Sequence, residues 1–322
     1  MTAKCVSEIA VTRLTSATQP NGIGIDMIQL SHCKMLPARH IPNVRGSRDG
    51  NPVLTFEFTE ELMTYLRPFI LRKATKILRR IERKVQHLQG RGPGAVSVET
   101  EFKNVAQFFQ QKEPTLCIDV GGNKGSYTEE IIRKFPKASI VIFEPSQHNI
   151  EILQNKFGKK ENIQIAPYAL SNQAGNSQLW YDEVGSGIAS LKKRRLDHYS
   201  INFDQSEPVQ VIAFENYWAN ELARSTIDFV KLDIEGAELE ALKGFGEAIK
   251  SVRVFQFEFG GTNIDSRTYF QDFFYLFAEH DFKLFRISPL GPVPISEYSE
   301  REEVFLTTNY IAVSKTNGSL ST

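Results

Sequence analysis

The sequence predicts an α/β protein built on a Rossmann-like, doubly wound, mostly parallel sheet and preceded by an N-terminal helical extension. Three apolar runs predict it. The first, Leu116-Cys117-Ile118-Asp119-Val120, breaks into Gly121-Gly122-Asn123-Lys124-Gly125 before a helical segment. This is the strand, tight turn and helix of a nucleotide-binding unit, in which glycines let a ligand approach the main chain. The second, residues 138–143, closes on Glu144, an acid placed to accept ribose hydroxyls. The third, Ile227-Asp228-Phe229-Val230-Lys231-Leu232, ends in Asp233-Ile234-Glu235-Gly236-Ala237-Glu238, again carboxylates at a strand-to-helix junction.

From the N-terminus, residues 1–58 mix Thr, Ser, Pro, Gly and Asn without a sustained period and read as an irregular or disordered leader. Residues 59–94 read as a basic amphipathic helix and linker. Leu66, Ile70, Ala74, Ile77, Ile81, Val85 and Leu88 recur at three- or four-residue steps, and the remaining face is crowded with Lys and Arg. Such a helix either packs its stripe on the enzyme or a second copy, or lays residues 66–88 on a membrane surface or anionic partner. The glycines around Pro93 form the break.

Residues 95–315 then alternate strand and helix signals as an open parallel sheet requires. The reading is strand 115–120, helix 126–135, strand 139–143, helix 146–157 with Ser146 as N-cap, and strand 163–168. Between 171 and 217 the helical period disappears and short β-type pieces take over, an insertion of the kind that carries substrate loops. Strand 229–232, helix 237–243, strand 252–257 and a Phe-rich helix over 267–279 follow. Residues 283–287 and 310–313 are expected to close the sheet as an antiparallel pair. Phe273, Phe274 and Phe277 belong to the core. Residues 316–322 are a polar tail.

The chain has 322 residues, 38 Lys and Arg, and 38 Asp and Glu, yet the charges are unevenly placed. Residues 1–111 hold 16 basic and 9 acidic side chains, which leaves the remainder at 22 against 29. An acidic catalytic part is a poor partner for polyanionic nucleic acid, so none is expected as substrate. The cysteines at 5, 33 and 117 cannot pair fully and share no metal-ligand spacing. With no signal-peptide pattern and no apolar run long enough to span a bilayer, a reducing cytoplasmic setting is expected, peripheral to a membrane at most.

Taken in order, Asp119-Val120-Gly121-Gly122-Asn123-Lys124-Gly125, Phe143-Glu144-Pro145, Ala169-Leu170-Ser171 and Lys231-Leu232-Asp233-Ile234-Glu235-Gly236-Ala237-Glu238 resemble the motifs of FkbM-type S-adenosylmethionine-dependent methyltransferases, over roughly residues 113–315. Gly122 stands where alanine is usual, and Lys124 where an apolar residue is frequent. The resemblance implies a class I methyltransferase fold, S-adenosylmethionine as cofactor, and O-methylation of a hydroxyl on a sugar, glycolipid or secondary metabolite. On the cofactor side it implies Asp119, Gly121, Asn123 and Gly125 around the methionine and ribose, Glu144 on the ribose hydroxyls, and Ser171 beside the adenine.

On the acceptor side, methyl transfer to a hydroxyl needs positioning and a proton acceptor. Asp233 is the first candidate for the base or orienting carboxylate, and Glu258 the second. Asp119, Glu144, Asp233, Glu235 and Glu258 should converge at the carboxyl ends of the strands. Glu235 and Glu238 also read as first-turn helix carboxylates. Several carboxylates in one cleft admit a divalent cation, which is not the favoured reading, and no metal ligand is assigned. His148 reads as solvated, whereas His198 lies in the insertion. The run Lys192-Lys193-Arg194-Arg195 is either a solvated loop or a clamp for an anionic acceptor.

Two readings from other classes stand beside this one. One is a methyltransferase-like protein that binds without catalysis and is tethered by its basic helix. The other is an NAD-dependent oxidoreductase, against which the D-x-G-x-x-x-G spacing speaks because it is not G-x-G-x-x-G.

Overall fold

The computed structural model describes residues 43–46, 52–55 and 60–316, with side chains from 71 to 316. The leader expected over 1–58 therefore lies outside the described residues except for two short strands, as do Cys5, Cys33 and the tail beyond residue 316. The chain divides into two units between Lys76 and Ile77. In the first, β1 (Asn43–Gly46) and β2 (Pro52–Thr55) pair antiparallel, with Asn43 opposite Thr55. The division falls within α1 (Glu60–Leu88), the helix expected from the apolar stripe. Its side chains from 71 to 85 are exposed among the described residues.

The second unit continues with α2 (Val98–Ala106), β3 (Leu116–Val120), α3 (Ser126–Lys134), β4 (Ser139–Phe143), α4 (Gln147–Phe157) and β5 (Ile163–Ala166). Next come β6 (Ala169–Leu170), β7 (Gly175–Tyr181), β8 (Gln205–Ile212), α5 (Phe214–Asn220), β9 (Ile227–Leu232), α6 (Glu238–Lys243) and β10 (Val252–Phe259). The unit ends with α7 (Thr262–Ser266), α8 (Phe270–Glu279), β11 (Phe282–Arg286), β12 (Val293–Ile295) and β13 (Thr308–Ser314).

Eight strands form one sheet in the order β12-β11-β13-β10-β9-β3-β4-β5. From β10 to β5 all neighbours are parallel, whereas β13 pairs antiparallel with both β10 and β11. This is the doubly wound, mostly parallel sheet with its antiparallel closing pair. The strand order reverses at β3, whose neighbours are β4 on one side and β9 on the other. A crevice outside the carboxyl ends of the strands is expected at such a reversal.

Both faces of the sheet are covered, so the central strands are mostly apolar; β9 is buried at every position, Asp228 and Lys231 included. On one face Phe255, Phe257, Phe273, Phe277 and Tyr310 pack together, with the Phe257 and Phe273 rings stacked at 5.0 Å. On the other, Phe102, Phe109, Tyr127, Phe135 and Phe229 form a second cluster, to which α2 contributes. Full burial of each such ring stabilises the fold by about 1.5–3 kcal/mol. Phe273 and Phe277 are fully buried, and Phe274 is partly buried against the same cluster.

Four local expectations are corrected. The insertion folds as a three-stranded sheet, β6-β8-β7, and then as α5, so the helical period returns at Phe214 inside the span read as non-helical. The Phe-rich helix starts later than residue 267, because Arg267 is left-handed (φ +55°) and ends α7, while the Tyr269 and Asp272 capping box starts α8. Ser146 makes no side-chain cap; its N–H instead donates to Glu144 Oε1 at 2.9 Å. Helix α2 was not read at all, although Ser97 caps it by accepting from the Thr100 N–H at 3.3 Å.

Candidate active site

A cavity of about 360 Å³ opens at the carboxyl ends of β3, β4, β9 and β10. Its first wall is the loop after β3. Gly121 has φ +81°, its N–H donates to the Phe143 carbonyl at 2.9 Å, and a Cβ there would lie 2.0 Å from the Asp233 carbonyl oxygen. Only glycine lets the two strand ends come this close. Asn123 follows with φ +45°, and its N–H donates to Glu144 Oε2 at 2.7 Å. Glu144 thus bridges the loop after β3 to the start of α4. Burial raises its carboxyl to about 7, against the hydrogen bonds from Ser146 and Asn123 that lower it.

Two buried amide oxygens in this wall, Asn123 Oδ1 and Asn149 Oδ1, have no hydrogen-bond partner among the described residues. Both residues line the cavity. Buried polar atoms of this kind are normally satisfied, so the wall has acceptors to spare beside Glu144 for a ligand rich in hydroxyl and amino donors.

The opposite wall is charged. Lys231, within apolar β9, has a nearly buried side chain whose Nζ donates to Asp233 Oδ2 at 2.9 Å and lies 4.9 Å from the centre of the Tyr127 ring. Burial works against its charge, but the carboxylates of Asp233, Asp119 and Glu101 outweigh it and hold the ammonium above the usual lysine range. Glu101, from α2, accepts from Gln256 Nε2 at 3.1 Å, and burial raises it to about 7. Gln256 Nε2 also donates to Asn309 Oδ1 at 3.1 Å, and Gln256 Oε1 accepts from the Tyr127 hydroxyl. Glu258, opposite Asn309 across the sheet, is raised well above the ordinary carboxylate range by burial and by Asp233, Glu235 and Glu238.

The family model for the FkbM methyltransferase domain matches residues 119–284. The chain belongs to the FkbM methyltransferase family. It is 21% identical over 168 residues to the 2-O-methyltransferase NoeI of Sinorhizobium fredii, covering 49% of this chain and 68% of that one. It is 23% identical over 175 residues to Methyltransferase 1 of Beauveria bassiana, covering 48% and 70%. Among solved structures it resembles the methyltransferase FkbM of Methylobacillus flagellatus with a TM-score of 0.38 and 15% identity, over 62% of this chain and 44% of that one. The chain therefore spans less than half of that protein.

Within this FkbM chain, Gly121, Asn123, Glu144, Asp233, Glu235 and Glu258 line the cavity together. Three residues read as cofactor-binding do not. Asp119 is fully buried beneath the loop, where its Oδ2 accepts from Thr128 Oγ1 at 2.5 Å. Gly125 (φ +83°) is needed for packing, since a Cβ there would meet the Phe157 ring at 2.5 Å. Ser171 sits at the second sheet, its N–H donating to the Ile212 carbonyl at 3.1 Å, while Tyr168, Ala169 and Leu170 reach the cavity in its place. Glu238 holds backbone, accepting from the Ile234 and Gly236 N–H groups at 2.9 Å.

The basic run is fully engaged. Lys192 pairs with Glu240, Lys193 with Asp204, Arg194 with Glu235 and Arg195 with Asp197, at 2.9 to 3.0 Å. Exposed His198 lies 4.2 Å, centre to centre, from the Tyr199 ring, and neither His148 nor His198 lines the cavity. Among the described residues no group of three or more His, Cys, Asp and Glu side chains gathers as a metal-holding cluster. Lys231, Glu101, Asn149 and Asn309 are among the cavity residues that sequence reasoning missed.

Proposed function

We propose that this chain is an S-adenosylmethionine-dependent O-methyltransferase whose acceptor is an uncharged hydroxyl compound, a sugar, glycolipid or secondary metabolite. The observation that carries the reading is one cavity that gathers the acceptors Glu144, Asn123 and Asn149 together with the Lys231–Asp233 ion pair. Glu144 would hold the ribose hydroxyls, with Asn123 and Asn149 supplying further acceptors and Gly121 letting the ligand lie on the main chain. S-adenosylmethionine supplies an electrophilic methyl whose carrier leaves as a neutral thioether.

Acceptor chemistry falls to the opposite wall. Asp233 is positioned by Lys231 and takes the hydroxyl proton as the O–CH3 bond forms. Glu258, whose carboxyl burial pushes upward, lines the same cavity and would orient the acceptor by a hydrogen bond. A neutral acceptor is favoured by the state of the cations. Lys231 is committed to Asp233, the four cations of residues 192–195 are paired with carboxylates, and exposed Lys124 is the other lysine of the lining. A phosphate or uronate would find one exposed lysine rather than a clamp. The NoeI relative, named a 2-O-methyltransferase, supports hydroxyl transfer.

The test is a transfer assay with labelled S-adenosylmethionine against matched panels of neutral and anionic glycans. Label on neutral acceptors, lost in Asp233→Asn, is the expected result. Transfer confined to uronates or phosphorylated sugars contradicts the acceptor assignment.

A further inference from the structure

One feature of the chain is not used by the methyl-transfer site: the apolar face of α1. Leu71, Ile77, Leu78, Ile81, Val85 and Leu88 are between 47% and 64% exposed. At 3.6 residues per turn they fall on one arc of the helix. Monomeric proteins rarely leave such a contiguous apolar patch uncovered. The opposite arc carries Arg79, Arg80, Arg83 and Lys84, and Leu71 to Leu88 holds seven Lys and Arg against the single acid Glu82. No described helix is long and apolar enough to cross a membrane.

We propose that α1 is a membrane-surface helix, lying in the interface of an anionic phospholipid bilayer with its Ile and Leu arc inserted and its basic arc among the headgroups. Charge complementarity selects this occupant. A second copy of the helix would bring a second basic arc alongside the first, with Glu82 the single acid between Leu71 and Leu88 to offset seven Lys and Arg. An anionic bilayer offers apolar depth and negative charge on the same surface. The helix is also fastened where it meets the catalytic unit. The Gln89 carbonyl accepts from Arg286 Nε at 3.0 Å, Arg91 pairs with Glu302 at 2.7 Å, and the Gly92 N–H donates to the Thr307 carbonyl at 2.9 Å. Gly90 fits only because it lacks a Cβ, which would lie 1.9 Å from the Ile287 carbonyl oxygen. Gly90, Gly92 and Thr307 are themselves part of the cavity lining. A docked helix therefore holds the cavity's own rim at the bilayer, which favours a membrane-borne hydroxyl, the glycolipid class, among the acceptors proposed above; that last step rests on the methyltransferase reading.

The experiment is co-sedimentation of the full chain with vesicles of phosphatidylcholine alone and of phosphatidylcholine with about one third phosphatidylserine, at low and high salt. Binding should be on the order of tenfold tighter on the anionic vesicles and should weaken as salt rises. The double substitution Ile77→Asp and Ile81→Asp should abolish it, and Arg79→Glu with Arg83→Glu should remove its dependence on phosphatidylserine. All four positions are exposed and outside the cavity, so thermal unfolding of the variants serves as the folding control. Absence of vesicle binding, or binding indifferent to both double substitutions, overturns the proposal. So does a dimer in solution that Ile77→Asp and Ile81→Asp dissolves while vesicles fail to compete with it, since the stripe is then a self-association face. Vesicle binding needs no methyl transfer, so this proposal and the methyltransferase reading fail separately.

Discussion

Lys231→Met removes the cation around which the acceptor wall is built. The Nζ to Oδ2 separation from Asp233 is 2.9 Å, and the lysine side chain is only 6% exposed. At an effective dielectric near 20 the attraction is about 6 kcal/mol before desolvation. Deleting one partner of a buried pair costs roughly 3–5 kcal/mol. The Asp233 side chain keeps 36% exposure, so water screens the orphaned carboxylate, and the low end, about 3 kcal/mol, applies. For a unit of this size that corresponds to a fall in Tm of about 6–12 °C. Fully buried Asp119 and partly buried Glu101 lose the same neighbour, and Lys231 is a group that lowers both carboxyls. The Glu101 carboxyl should therefore rise further above about 7. Thermal unfolding and an NMR titration of the Glu101 carboxyl in the Met variant read both effects. A Tm within about 2 °C of wild type, with an unmoved Glu101 titration, would refute the reasoning that Lys231 organises this wall.

Further expectations follow from the same geometry. Asp233→Asn should lower kcat by about 10²–10⁴, the usual contribution of a positioned base, while calorimetry shows unchanged S-adenosylhomocysteine affinity; a loss confined to cofactor affinity would move Asp233 to the other wall. Gly121→Ala combines a left-handed φ, costing about 1–2 kcal/mol, with a contact to the Asp233 carbonyl oxygen that backbone must relieve, so cofactor affinity should fall at least about tenfold. Stability should decrease between pH 5 and pH 8. Burial raises Glu144 and Glu238 from 4.5 to about 7 and Glu235 to about 8. The folded chain thus holds protons that the unfolded chain has released; this contribution is complete below 4.5 and is lost as pH rises through 7 to 8. Thermal melts across that range check it, and a Tm that rises with pH contradicts it.

The parts of the site legible in the sequence were those carried by contiguous signals. Gly121, Asn123, Glu144 and Asp233 each sit where an apolar strand ends, and a parallel sheet aligns its strand ends by construction. Glu101 and Asn309 were not legible, because α2 and β13 reach the cavity through tertiary packing and lie about 20 and 190 residues from the glycine loop. Lys231 carried a signal that could have been used. A lysine in a largely apolar strand, two residues before Asp233, must share that residue's side of the sheet. Gly125 and Ser171 lie outside the cavity lining for a different reason. A glycine needed for packing against Phe157 and a serine at a strand end look in sequence like ligand contacts, and only the ring beside the one and the second sheet around the other separate the cases. The stripe of α1 was legible, but its exposure was not, since amphipathic spacing is the same for a docked helix and a bare one.

The central claim is that the wall built by Gly121, Asn123, Glu144 and Asn149 holds S-adenosylmethionine. Titration calorimetry of S-adenosylmethionine and S-adenosylhomocysteine on the full chain, with Glu144→Ala alongside and NAD as the competing cofactor, tests it most directly. Micromolar Kd values for both sulfur ligands, roughly 8 kcal/mol each, lost in Glu144→Ala and absent for NAD, are the predicted result. A folded wild-type chain that binds neither sulfur ligand, or that binds them as tightly after Glu144→Ala, contradicts it.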